Sequence, residues 1–221
     1  MHPAITKLLS ISGEAISGYS LADQTVRLDS WGPRGSELAV MLNQKNGFYA
    51  FESSLLIRPM QFEGVPLGLL QWNSSELWIG KYHQDLTNLL FFAEDVFGNQ
   101  FCIQDDKICT FDPETGLLEA MSSSFDEWGE ELLSNYEFRT GYPLAHAWQV
   151  AHHPLQAGVR LLPKTPFVCG GKYEIENIYP LNDVEGMLFR SSIANQIHDL
   201  PDGSEIILEI MPPESKGNQV S

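Results

Sequence analysis

The sequence predicts an α+β fold, mainly an antiparallel sheet, with an α/β extension at its C-terminal end. Three observations predict it. Residues 89–121 run apolar or alternate in short segments broken by Gly98-Asn99 and Asp105-Asp106, the pattern of antiparallel strands joined by tight turns. Stretches with helical apolar spacing and capping residues lie before and after this meander. Beyond Gly158, strand-like runs and one long helical run follow with no internal repeat. A chain of 221 residues with 43% hydrophobic content, five Trp, seven Tyr and twelve Phe buries a core without help from a metal or disulfide.

The elements follow in order. Residues 1–30 show no clean period and several Gly and Ser, and read as a loosely packed lead-in. Over 36–47, Ser36 suits an N-cap, Leu38, Met41 and Leu42 share a helical face, and Asn46-Gly47 supplies a left-handed stop. Residues 48–51 and 55–57 read as short strands before Pro59. A second helix is expected within 74–86, with Glu76 in its first turn. Strands are expected over 89–96, 100–104, 107–111 and 117–121, with Pro113 and Gly116 shaping the turn before the last of these. Ser124 then caps a helix, with Glu127 at capping-box spacing and Phe125, Trp128, Leu132 and Leu133 as its apolar stripe. Gly141-Tyr142-Pro143 restarts the chain into a short helix that His153-Pro154 ends. Strands over 159–162, 166–169 and 173–179 surround Gly170-Gly171. A helix follows over 183–198, carrying Met187, Leu188, Ile193, Ala194 and Ile197, then a turn at Pro201-Asp202-Gly203 and a final strand over 205–211. No linker divides the chain cleanly; the softest boundary is near 153–158.

Charge is the first functional clue. Thirteen Lys and Arg against 29 Asp and Glu give a net charge of −16. Between Glu94 and Glu137 twelve acids face one base, Lys107, so that segment carries −11 and the remainder −5. A field of this sign repels nucleic acid and anionic lipid and speeds capture of a basic partner. Acidity also keeps proteins soluble, so charge alone does not select a function. Cys102, Cys109 and Cys169 are odd in number and form no C-x-x-C pair, which suits free thiols in a reducing cytosol. The first thirty residues do not read as a targeting segment and no apolar run reaches membrane length, so a cytoplasmic location is expected.

No catalytic constellation emerges. Gly18-Tyr19-Ser20 lacks the final Gly and the strand–turn–helix setting of a nucleophile elbow. Gly170-Gly171-Lys172 has Pro166 where a phosphate loop needs its first Gly, and Tyr173 where it needs Ser or Thr. His146, His152 and His153 lack the i, i+4 spacing of a helical zinc pair. The acidic stretch from Asp105 to Glu114 lacks the alternating ligands and central Gly of a calcium loop. Glu94 and Asp95, adjacent on a strand, point to opposite faces. No metal or cofactor is expected.

Three blocks carry a resemblance. Leu90-Phe-Phe-Ala-Glu-Asp-Val-Phe-Gly-Asn-Gln-Phe-Cys-Ile103, Phe111-Asp-Pro-Glu-Thr-Gly116 and Ser124-Phe-Asp-Glu-Trp128, preceded by Asn46-Gly47-Phe48, resemble the signature of the SUKH superfamily of Smi/Knr-like proteins over residues 35–135. The resemblance implies a single-domain α+β fold, with a sheet flanked by helices and a surface for protein recognition. It implies no catalytic residues. It divides the chain into a lead-in (1–34), a Smi/Knr-like core (35–155), a C-terminal extension packed on that core (156–211) and a flexible tail (212–221).

Many bacterial members are inferred to neutralise toxins, often nucleases. A nuclease presents a basic face to phosphate, so an acidic inhibitor meets it with complementary potential. The expected function is therefore a non-catalytic immunity protein that binds a basic toxin domain through Glu94, Asp95, Asp105, Asp106, Asp112, Glu114, Glu127, Glu130 and Glu131. The alternatives are a regulatory or scaffold protein of the fungal type, and an enzyme or small-molecule binder whose site is revealed by a deep pocket.

Overall fold

The structure, a computed structural model, describes residues 2–19, 21, 25–201 and 203–205. Six strands form one antiparallel meander: β1 (Phe48–Ala50), β2 (Leu55–Ile57), β3 (Leu90–Asp95), β4 (Gln100–Gln104), β5 (Lys107–Phe111) and β6 (Leu118–Ser122), in that spatial order. The register follows from alternation: Leu90 lies opposite Ile103, and Cys102 opposite Cys109. Phe101, Ile103 and Ile108 enter one apolar cluster, while Cys102, Cys109 and Phe111 enter another across the sheet. A bulge between Phe91 and Ala93 lets Phe92 and Ala93 both join the first cluster while Phe91 joins the second.

Helices cover the first face. They are α1 (Pro3–Ile11), α2 (Thr25–Asp29), α3 (Gly32–Gln44) and α5 (Phe125–Ser134). Ile5 and Leu8, Leu38 and Met41, and Phe125, Trp128 and Leu132 pack there around Phe92. The first residues are thus part of the core rather than a loose lead-in: Ala4, Ile5 and Leu8 are buried. Pro3 at the first helical position and the His2 ring, which accepts a hydrogen bond from the Ala4 amide, start that helix. The helix expected from Ser36 begins earlier, because Gly32 adopts a left-handed φ of 68° and Pro33 follows it. The Ser36 hydroxyl instead donates to Asp29 Oδ1 at 2.7 Å.

The second face is covered by α4 (Leu69–Trp72), a 3₁₀ turn (Ile79–Lys81) and α8 (Asp183–Ile197). The helix expected within 74–86 is therefore replaced. Trp78, Tyr82 and Leu86 serve the second cluster at irregular spacing, with Trp78 4.8 Å from Phe91 in an edge-on ring contact. Asn73 pins the segment to β3, accepting from the Phe91 amide and donating to the Phe91 carbonyl, each at 2.8 Å. Aromatic burial outweighs the weak helical signal there.

A short α6 (Tyr136–Thr140), not foreseen, leads through Gly141 into α7 (Tyr142–Ala151). A two-stranded antiparallel sheet, β7 (Val159–Pro163) with β8 (Ile178–Asn182), follows. The Leu161 amide donates to the Val96 carbonyl at 2.9 Å, and Leu161, Trp148 and Ile178 share a third cluster with Val96 and Phe97. The strand expected over 166–169 is a 3₁₀ turn (Phe167–Cys169) closed by Gly170 at φ 85°. The strand expected over 173–179 is confined to β8, a 3₁₀ turn (Ile175–Asn177) preceding it. The strand expected over 205–211 and the tail over 212–221 lie outside the described residues, Glu205 excepted. No helix of the described residues is long and apolar enough to cross a membrane.

Candidate functional site

The nine carboxylates singled out in the sequence do not share one surface. Three are interior, and a docking partner does not meet them. Glu94 is fully buried in β3: its Oε1 accepts from Arg160 Nε at 2.7 Å, and its Oε2 accepts from Gln100 Nε2 at 2.9 Å and forms an ion pair with Arg58 Nη2 at 3.0 Å. Arg58 also bonds Asp183 Oδ2 at 2.9 Å and lies over the Trp72 ring. This network ties β2 and β3 to β7 and the start of α8. Burial works to raise the Glu94 pKa, but the two guanidiniums outweigh it and bring the carboxyl down to about 2.

Asp95, next along the strand, accepts from the Phe97 and Asn99 amides at 2.8 Å each and from Asn99 Nδ2 at 2.7 Å, closing the turn into β4. Burial raises its pKa to about 7 in spite of these donors. Glu114 is also buried. Its Oε2 accepts from the Val168 amide at 2.9 Å, while its Oε1 faces Arg190 Nε at 4.0 Å. Neither of those two facing atoms makes a hydrogen bond. Burial moves the Glu114 carboxyl up from the ordinary value.

The other six divide between the ends of the sheet and α5. Asp105 and Asp106 form the two-residue turn between β4 and β5, both at positive φ as a type I′ hairpin requires. Asp106 pairs with Arg34 at 3.4 Å. Glu127 accepts from the Ser123 amide at 2.9 Å and hydroxyl at 2.7 Å, which lowers its pKa. Glu130 lies 3.6 Å from His2, and Glu131 is held by Arg139 at 2.6 Å. Asp112 stands at the opposite end, accepting from the Glu114 amide at 2.8 Å and the Thr115 hydroxyl at 2.9 Å. The length of β4 separates the two ends by about 14 Å.

At the Asp112 end the chain forms a cleft of about 660 Å³. Its walls are the turns after β3 and β5, the junction of α6 with α7, the 167–173 loop and Arg190 of α8. Phe97 meets Phe167 and Tyr173 edge-on at 5.4 and 5.6 Å, and the last two stack at 3.9 Å. Five carboxylates line it, Asp95, Asp112, Glu114, Glu119 and Glu137, against the guanidiniums of Arg139 and Arg190. Sequence reading missed its apolar rim. Phe138, 81% exposed within an acidic stretch, was the available signal, and Leu117, Val168 and Tyr173 are also exposed there. Arg190 was invisible because it lies on a helix distant in sequence. Among the described residues no group of three or more His, Cys, Asp or Glu is placed to hold a metal ion.

No family model matches the chain, and no curated protein matches it. Among solved structures it is similar to Atu4351 from Agrobacterium tumefaciens, with a TM-score of 0.58 at 14% identity, over 86% of this chain and 88% of that one. The likeness concerns the fold: an α+β architecture with a six-stranded antiparallel sheet flanked by helices and a second, two-stranded sheet.

Proposed function

We propose that the chain is a non-catalytic, cytoplasmic protein-binding module of the Smi/Knr-like type, acting as an immunity protein that neutralises a basic toxin domain by direct binding. The observation that carries this reading is the −11 charge of residues 94–137, whose exposed members (Asp105, Asp106, Glu119, Asp126, Glu127, Glu130, Glu137) stand on turns, an edge strand and helices rather than inside ion pairs of the core. Opposed potentials raise the rate of encounter and penalise acidic partners, which is what neutralising a nuclease requires. The resemblance of the signature blocks within residues 35–135 supports the Smi/Knr-like reading, and these blocks span β3, most of β4 and the capped start of α5.

The test is to look for a toxin gene beside this one and to co-express its product with this chain; the absence of such a gene overturns the immunity reading. Growth is restored when both are made, and the purified toxin domain elutes with this chain. Loss of viability despite soluble expression of the chain overturns the immunity reading.

A further inference from the structure

The cleft at the Asp112 end combines exposed apolar side chains with unneutralised negative charge. Phe138 is 81% exposed, Tyr173 66%, Leu117 55% and Val168 40%, and all four line this one depression. Large side chains left bare together mark contact sites, because a solitary protein gains nothing from keeping them in water. Around them stand Glu119 and Glu137, both exposed, and Asp112. The two guanidiniums of the cleft do not cancel this charge for a visitor: Arg139 is already engaged by Glu131, and Arg190 is 2% exposed and faces the buried Glu114.

From this arrangement we infer that the cleft docks a basic segment of a protein partner, one apolar or aromatic side chain seated against Phe138, Leu117, Val168 and Tyr173, with a neighbouring lysine or arginine meeting Glu119 and Glu137. The inference rests on the protein-binding reading above and names its surface. Charge selects the occupant. A second copy of a chain with net charge −16 brings further carboxylates to a cleft that already presents Asp112, Glu119 and Glu137, and is repelled. Nucleic acid is repelled for the same reason. A free polyamine satisfies the carboxylates but leaves Phe138 and Tyr173 in water. A peptide bearing both kinds of side chain satisfies both, with the ring faces adding attraction for the cation.

The experiment is an NMR titration of the full, ¹⁵N-labelled chain with three probes: acetyl-Gly-Lys-Trp-Lys-Gly-amide, its counterpart with glutamates for the lysines, and spermidine. The basic peptide is expected to move the amides of Leu117, Glu119, Phe138, Val168 and Tyr173, and the acidic peptide to leave them in place. Spermidine is expected to bind more weakly than the basic peptide. Phe138→Ser and the pair Glu119→Lys with Glu137→Lys, all at exposed positions, each weaken the basic peptide by about tenfold while the remaining spectrum stays native. Equal binding of the acidic peptide, equal or tighter binding of spermidine, shifts confined to the Asp105-Asp106 turn, or no shifts at all overturns the inference. Its failure is separable from that of the immunity reading. A chain that rescues growth from the toxin unchanged by these substitutions loses the cleft and keeps the function. One that binds the basic peptide in the cleft but rescues nothing keeps the cleft and loses the function.

Discussion

Glu94 shows how misleading a residue type is without its depth. In the sequence it is the first member of an acidic block; in the fold it is the centre of a buried Arg58–Glu94–Arg160 arrangement. Removing one member of such a set leaves uncompensated charge in the interior, so Glu94→Gln is expected to cost about 3–5 kcal/mol in urea unfolding. Its folded pKa lies below the ordinary carboxylate value, so this contribution is complete above about pH 4.5 and is lost as pH falls towards 2. Asp95 has the opposite sign. Its folded pKa is raised from 3.8 to about 7, so the folded state binds the proton more tightly and stability falls as pH rises between those values. Asp95→Asn, which keeps an acceptor for the Phe97 and Asn99 amides, is expected to flatten that part of the profile. Stability curves of parent and variant that run parallel from pH 4 to 7 contradict this account of Asp95. Neither residue's role was legible in sequence, because Arg160, Asp183 and Arg190 reach this region from far along the chain.

At the scale of elements, local signals succeeded where caps and turns decide structure. The strands β3 to β6 and the Asp105-Asp106 hairpin follow from alternation and turn chemistry, and the start of α5 follows from Ser124, whose hydroxyl accepts from the Glu127 amide at 3.1 Å. Ser124→Ala is expected to cost about 1 kcal/mol, measured by thermal or urea unfolding. Local signals failed where tertiary burial set the spacing, as with Trp72, Trp78 and Tyr82, or where an early glycine moved a helix start, as with Gly32. Gly141, between α6 and α7, joins both themes. It sits at φ 68°, and a Cβ there meets Phe97 Cε2 at 2.3 Å, a ring of the cleft wall. Gly141→Ala is expected to destabilise by about 1 kcal/mol or more and to shift the amide resonances of the cleft. A native-like spectrum at full stability contradicts the close packing of that junction.

Over the whole molecule, the sequence anticipated the sign of the surface but not its geography. Twelve acids that are near neighbours in the chain are dispersed by the fold into a buried network, a hairpin tip, one helix and a cleft at the other end of the sheet. The apolar rim of that cleft is assembled from residues 117, 138, 168 and 173, and a linear reading has no window wide enough to join them. A charge-steered interface has a kinetic signature that a neutral one lacks: association slows steeply as salt screens the field, while dissociation changes little.

The most direct measurement is therefore stopped-flow association of the purified chain with the basic toxin domain that the proposal requires, sought first among the products of adjacent genes, across a range of ionic strength. The account predicts a stable complex whose association rate constant falls steeply with salt and drops at low salt when Glu119 and Glu137 are replaced by lysine. No complex at micromolar concentrations, or an association rate indifferent to both salt and those substitutions, contradicts it.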